Sequence, residues 1–194
     1  MRNVQTCRIQ IFPNVRTFCI PSPKLLSNES YLCPMGLAQF RAEAEAAKKQ
    51  NEKFIEKLKR TQPKDLDDNM HRLHDEAFEH IDCMQCANCC KTISPLFLQK
   101  DIERCAKAVG LSPGKFIEKY LYMDEDGDFV LQTTPCPFLD SENYCTIYND
   151  RPNACRGYPH TNRKRVHQVL DITMLNTMVC PAVLRIVKKL QEIY

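Results

Sequence analysis

The amino-acid sequence predicts a mainly α domain with irregular cysteine-rich loops and at most a short β-hairpin. Three observations lead there. Apolar residues recur at helical spacing in successive stretches from residue 38 to the C-terminal end. Glycine is scarce, at 5 in 194 residues, while 12 prolines punctuate the intervals between those stretches. Cysteine is abundant, at 12 against no tryptophan, and several cysteines fall in the proline-bounded intervals.

The length suits one domain with an appended arm, and it is enough to bury a core without disulfide staples. Residues 1–37 carry Arg2, Arg8, Arg16 and Lys24 against Glu29, with prolines at 13, 21, 23 and 34 and no sustained period. They read as a poorly ordered N-terminal arm in which Cys7, Cys19 and Cys33 are bystanders. Arg8, Gln10, Pro13, Asn14 and Arg16 also break up any apolar stretch of the kind a secretory signal needs. No apolar run approaches the ~20 residues of a membrane span.

Residues 38–69 form a helical lead-in. From Ala38 to about Arg60, Ala, Glu, Lys and Gln dominate without Gly or Pro, and Phe54, Ile55 and Leu58 supply a narrow apolar stripe. After a break at Pro63–Asp68, a second helix runs to about Ile81 on Met70, Leu73, Ala77, Phe78 and Ile81. Residues 70–194 are then the cysteine-cluster domain. Ser94-Pro95 has the pattern of a helix start, Leu98, Ile102, Cys105, Ala106 and Val109 form one face, and Gly110 closes it. A shorter helix spans Ser112-Pro113 to Tyr120. Tyr120–Tyr122 and Phe129–Leu131 read as short extended segments around the turn Asp124–Asp128. That turn is no EF-hand, because the required glycine and terminal glutamate fall at Phe129 and Pro135. A last helix starts near Pro181 with Val183, Leu184, Val187 and Leu190 inward.

Chemistry concentrates in the cysteines. Four of them, Cys83, Cys86, Cys89 and Cys90, lie within eight residues, and Cys136, Cys145, Cys155 and Cys180 follow in or beside proline-rich loops. In the cytoplasm, the compartment expected of a chain with no export signal, clustered thiols read as metal ligands or redox groups. Thiolates are soft donors suited to zinc or iron–sulfur centres. Eight of them could fill two four-ligand sites, or one site with spare redox-active thiols. The Cys-x-x-Cys-x-x-Cys opening favours an iron–sulfur cluster, 4Fe–4S first, with zinc as the alternative. Cys105, on an apolar helix face, reads as core.

The other polar residues point to no second site. His71, His74 and His80 read as surface or helix-packing residues, and His160 and His167 as solvated. Arg163-Lys164-Arg165 has no interleaved aromatic residue, and the net charge is only +3, so nucleic acid is not expected as a partner. The chain has no glycine-rich phosphate loop and no Gly-x-Ser-x-Gly element.

The ordered succession Cys83-x-x-Cys86-x-x-Cys89-Cys90, Pro135-Cys136-Pro137-Phe138-Leu139, Tyr144-Cys145-Thr-Ile147-Tyr148 and Arg151-Pro152-Asn-Ala-Cys155-Arg156-Gly-Tyr158-Pro159 resembles the YkgJ-like cysteine-cluster family. That family is described as a zinc- or iron-chelating domain related to the cysteine-rich part of flagellin lysine N-methylase. The resemblance spans roughly residues 70–190. It implies that Cys83, Cys86, Cys89, Cys90, Cys136, Cys145 and Cys155 are metal ligands, with Cys180 as the closing member. Arg156, beside a candidate ligand, would either hydrogen-bond cluster sulfurs or brace loop carbonyls. Phe138 and Leu139 would wall the metal from solvent.

The expected product is a metal-centred single domain holding one or two centres, with a redox, sensing or catalytic-support role toward a protein or small-molecule partner. The alternatives are a structural zinc module for protein–protein interaction and an N-methylase-like modifying enzyme.

Overall fold

In the computed structural model, which describes residues 10–11 and 36–194, helix α1 runs Leu37–Thr61. Phe40, Ala44, Asn51, Phe54, Ile55 and Leu58 are its buried residues, a single stripe at helical spacing on an otherwise polar rod. Gln62 ends it in the left-handed region, φ 41°, with its N–H donating to the Leu58 carbonyl at 2.8 Å. The expected N-terminal arm and its cysteines lie outside the described residues, apart from Gln10–Ile11. These two form a strand, β1, where no strand period is visible in the sequence. It pairs antiparallel with β2 (Ile93–Ser94), Ile11 opposite Ile93.

Helix α2 (Leu66–Phe78) packs along α9 (Pro181–Ile193), and α1 lies against both α9 and α8 (Leu170–Asn176). Leu58, Met70, Leu73, Leu170, Val183, Ile186, Val187 and Leu190 fill the space between them. Each such side chain contributes about 1.5–3 kcal/mol by leaving water. Ion pairs Lys59–Asp171, Lys188–Glu43 and Lys189–Glu76 rim this interface but remain solvated, so the buried apolar stripe contributes most of the stabilisation. Asp67 on α2 accepts the backbone N–H groups of Arg165 (2.6 Å) and Val166 (2.9 Å), anchoring the turn that leads into α8.

A second core lies around α5 (Gln99–Ala108), α6 (Pro113–Tyr120) and the hairpin β3 (Leu121–Met123) with β4 (Phe129–Leu131). Tyr122 pairs with Val130 across the hairpin. Ile102, Cys105, Phe116, Leu131, Phe138 and Ile147 are buried there, and the rings of Phe116 and Phe138 stack with centroids 5.8 Å apart. The turn Asp124–Asp128 is closed by its own side chain, since the Asp124 carboxylate accepts N–H groups from Asp126 (3.1 Å) and Asp128 (2.9 Å).

Three expectations need correction. The helix expected from Ser94 begins at Gln99, because Ser94 belongs to β2 and its hydroxyl accepts the Leu131 N–H at 2.7 Å. Asp101 caps α5 instead, accepting the Leu98 N–H at 3.2 Å. His160, expected in solvent, is buried beside Tyr158, while His167 is exposed. Helix α2 also stops at Phe78, yet Ile81 still joins its core.

Asp101 does more than cap. It is fully buried, and its Oδ1 accepts from the Arg104 guanidinium (2.6 Å) and from the Asn153 N–H (3.1 Å). Arg104 in turn donates to the carbonyls of Asp150 (3.1 Å) and Arg151 (2.9 Å). This pair therefore fixes the segment leading to Cys155 onto α5. Removing one member of a buried ion pair strands its partners. Asp101→Ala should cost about 3 kcal/mol in urea-monitored stability, whereas Asp171→Ala, on the exposed rim, should shift the midpoint hardly at all.

His74 supplies the pH dependence. Its Nδ1 lies 2.7 Å from Thr161 Oγ1 and its ring packs on Phe78 at 4.5 Å, so α2 is tied to the 161–165 segment. Burial holds its pKa below the ordinary value, with Asp75 opposing and His71 assisting. Burial, with Arg163 assisting, lowers His160 in the same way. Such a histidine stays neutral when folded while the unfolded chain takes up its proton. Stability is therefore full above pH ~6.5 and falls as the pH drops below it. Thermal melts from pH 7.5 to 5.5 should show Tm falling, with a shallower fall in His74→Gln.

Candidate metal centre

Asp82 starts α3 (Cys83–Cys86), a single helical turn, its side chain accepting the Met84 N–H at 2.8 Å. Ala87 then adopts φ 45° and breaks the helix, and α4 (Asn88–Thr92) begins in a new direction. In an unbroken helix at roughly 100° per residue, Cys83, Cys86 and Cys90 would share one face. With the break, Cys83, Cys86 and Cys89 instead line one recess, and the buried Cys180 enters it from the start of α9.

The recess takes in ≈ 320 Å³ of space between atoms, counting the open solvent at its mouth, where Cys83 is exposed. Phe78, Ile81, Val179 and Pro181 make its walls apolar. Asn88 secures it from below, donating from Nδ2 to the Val179 carbonyl at 2.7 Å, next to Cys180. Tyr158 also lines it, with a buried hydroxyl that makes no hydrogen bond within the protein.

A second group gathers at the other core. The Cys90 carbonyl accepts the Cys136 N–H at 2.8 Å, and Cys136 and Cys145 both pack against the cluster around Phe116. Cys136 and Cys145 each feel the charge of Cys90. Phe138 backs this group from within the aromatic core and does not line the recess, while Leu139 bridges to Cys145. Cys155, on α7 (Asn153–Gly157), stands within electrostatic reach of Cys89. Cys105 is fully buried, donating to the Asp150 carbonyl at 3.1 Å.

Burial sets the charge state of most of these thiols. It pushes Cys180 and Cys136 up to about 12, so both are neutral at pH 7. Cys90 is the exception. Its sulfur lies 3.9 Å from that of Cys89, and their hydrogen bond, with Lys91 assisting against burial, lowers Cys90 to about 7 and raises Cys89. Among the described residues, no three Cys, His, Asp or Glu side chains converge closely enough to hold a metal ion. The arrangement is one of neighbouring thiols in dry walls, and by donor chemistry it fits zinc or iron rather than magnesium or calcium.

The guanidinium of Arg156 donates to the carbonyls of Arg151 (3.0 Å) and Asn149, the bracing arrangement of the two considered from sequence. His71 and His74 bond the Arg163 carbonyl and the Thr161 hydroxyl, so both pack α2 onto the following segment. Asn88 and Tyr158 line the recess, a placement that sequence reasoning did not assign. The available signals were a small amide between two cysteine pairs and a hydroxylated aromatic three residues after Cys155.

A family model, CxxCxxCC, described as "Putative zinc- or iron-chelating domain", matches residues 82–178, half of the chain. The protein belongs to the CxxCxxCC family. That description supports metal binding by this chain, and the match takes in seven of the eight cysteines discussed above. Cys180 lies just beyond the matched residues, so its inclusion rests on its position in the recess. No curated protein and no solved structure matches. Among the described residues, no single helix is long and apolar enough to cross a membrane.

The left-handed residue that aims the CxxCxxCC segment is open to test. Ala87 is buried, and a β-branched side chain is strained at positive φ and crowds the walls around it. Ala87→Val should destabilise the metal-free chain by about 2 kcal/mol or more in chemical denaturation.

Proposed function

We propose that this protein holds an iron–sulfur centre on Cys83, Cys86, Cys89 and Cys180, and a second centre on Cys90, Cys136 and Cys145 with Cys155. The observation that carries the reading is the recess itself, four thiols from two distant stretches of chain within apolar walls. A 4Fe–4S cluster takes four thiolates, and the opening Cys-x-x-Cys-x-x-Cys suits one cluster wrapped by consecutive turns. When bound, such a centre would supply electron transfer or redox sensing at a potential tuned by burial.

The chain's own residues have defined tasks in this scheme. Ala87 and Asn88 orient the sulfurs, Phe78 and Ile81 limit water at the recess, and Asp101 with Arg104 fixes the approach to Cys155. Because ligand thiols must lose their protons, metal uptake releases protons to solvent. A thiol-reducing cytoplasm would keep the ligands available, and the centre would serve a protein or small-molecule partner at the exposed mouth near Cys83. A structural zinc centre is the second reading, favoured by the position of the thiols where the two cores meet.

Anaerobic purification with iron, zinc and acid-labile sulfide analysis distinguishes them. Iron with matching sulfide and a broad visible band is expected. Cys180→Ser should lose one centre's share of the iron, and Cys105→Ser should lose none. Stoichiometric zinc without sulfide would leave the structural reading in place of the redox one.

A further inference from the structure

Tyr158 presents an unusual group to the recess. The ring contributes to the core formed by α1, α2 and α9, but the hydroxyl oxygen is buried and has no hydrogen-bond partner in the protein. A phenylalanine would fill the same volume without stranding a donor, since a buried polar group left unpaired is destabilising. The polar side chains sharing the recess are Asn88 and the thiols of Cys83, Cys86, Cys89 and Cys180. A neutral thiol is a weak acceptor, whereas a thiolate accepts a strong, charge-assisted hydrogen bond. The hydroxyl is therefore poorly served by the metal-free recess and well served by one whose sulfurs carry charge.

We infer that Tyr158 is a positioning residue of the metal centre, its hydroxyl donating to a metal-bound thiolate of the Cys83, Cys86, Cys89 and Cys180 set. The inference rests on the metal reading above. When a sulfur binds metal, the S–H proton passes to solvent and the sulfur keeps the S–H electron pair; one lone pair would then go to the metal and another would accept the Tyr158 O–H. Among the described residues that line the recess, Asn88 Oδ1, also unpaired, is a rival acceptor. A Tyr158–Asn88 hydrogen bond would be present with or without metal, and that difference separates the two.

The test is anaerobic Co(II) titration of the full chain, wild type against Tyr158→Phe and Met70→Leu, with melts of each protein free of metal. Tyr158→Phe should bind the same number of Co(II) ions, one of them about 10–100-fold more weakly, as found when an outer partner of a metal ligand is removed. Its sulfur-to-cobalt charge-transfer absorption should move to lower energy, because a sulfur relieved of a hydrogen bond is a better electron donor. Its metal-free melt should be no lower than that of wild type. Met70→Leu alters the core that Tyr158 packs against without touching the lining of the recess and should leave the absorption where it is. The role of Tyr158 is overturned if affinity and absorption match wild type. It is equally overturned if Met70→Leu moves the absorption as far, or if metal-free Tyr158→Phe melts lower than wild type, the result expected of a bond to Asn88. A wild-type chain that takes up no Co(II) would instead overturn the metal reading, and this role with it.

Discussion

Between Cys83 and Cys90 the backbone has to serve two hydrophobic cores within eight residues. A continuous helix cannot do so, because it would commit one face to one neighbour. Ala87 resolves the conflict by taking a left-handed conformation that costs an L-residue roughly 1–2 kcal/mol, and it does so while buried. On one side of it Cys83 and Cys86 face α9, and on the other Cys89 turns back to them while Cys90 meets Cys136. Cys180 and Cys136 are brought up to a segment whose direction this one residue sets.

The loops that deliver the later cysteines are held by polar bonds rather than by regular structure. Asn88 holds Val179, Arg104 holds Asp150 and Arg151, and Asp101 holds Asn153. Each bond joins a helical anchor to backbone that lies within three residues of a cysteine or its helix. This arrangement lets proline-rich segments present thiols in defined places without a sheet to support them.

Much of this is legible in the sequence. The stripes of α2, α6 and α9 give their helices directly, because apolar periodicity and caps such as Ser112 are local signals. The hairpin around Asp124–Asp128 is legible for the same reason. What stayed hidden depends on distant partners. Ser94 looks like a cap until Leu131 claims its hydroxyl, and His160 looks solvated until the fold buries it. The cysteines are recognisable as a set, but their grouping is not, since spacing alone cannot reveal the turn at Ala87. Asp101 and Arg104 look like any exposed i,i+3 pair on a helix, and only the backbone of residues 150–153 distinguishes them.

The broad packing contacts stay within each half of the protein: α1, α2, α8 and α9 on one side, α5, α6 and the hairpin on the other. A chain divided this way opens in parts unless something spans the divide, because local stabilities then differ. The candidate ligands come from both halves and from the segment joining them. Loading them with metal would merge two separately opening units into one cooperative body, in which neither half exposes a cleavable loop alone. The supply of metal would then govern how long each molecule survives proteolysis, quite apart from any reaction at the centre.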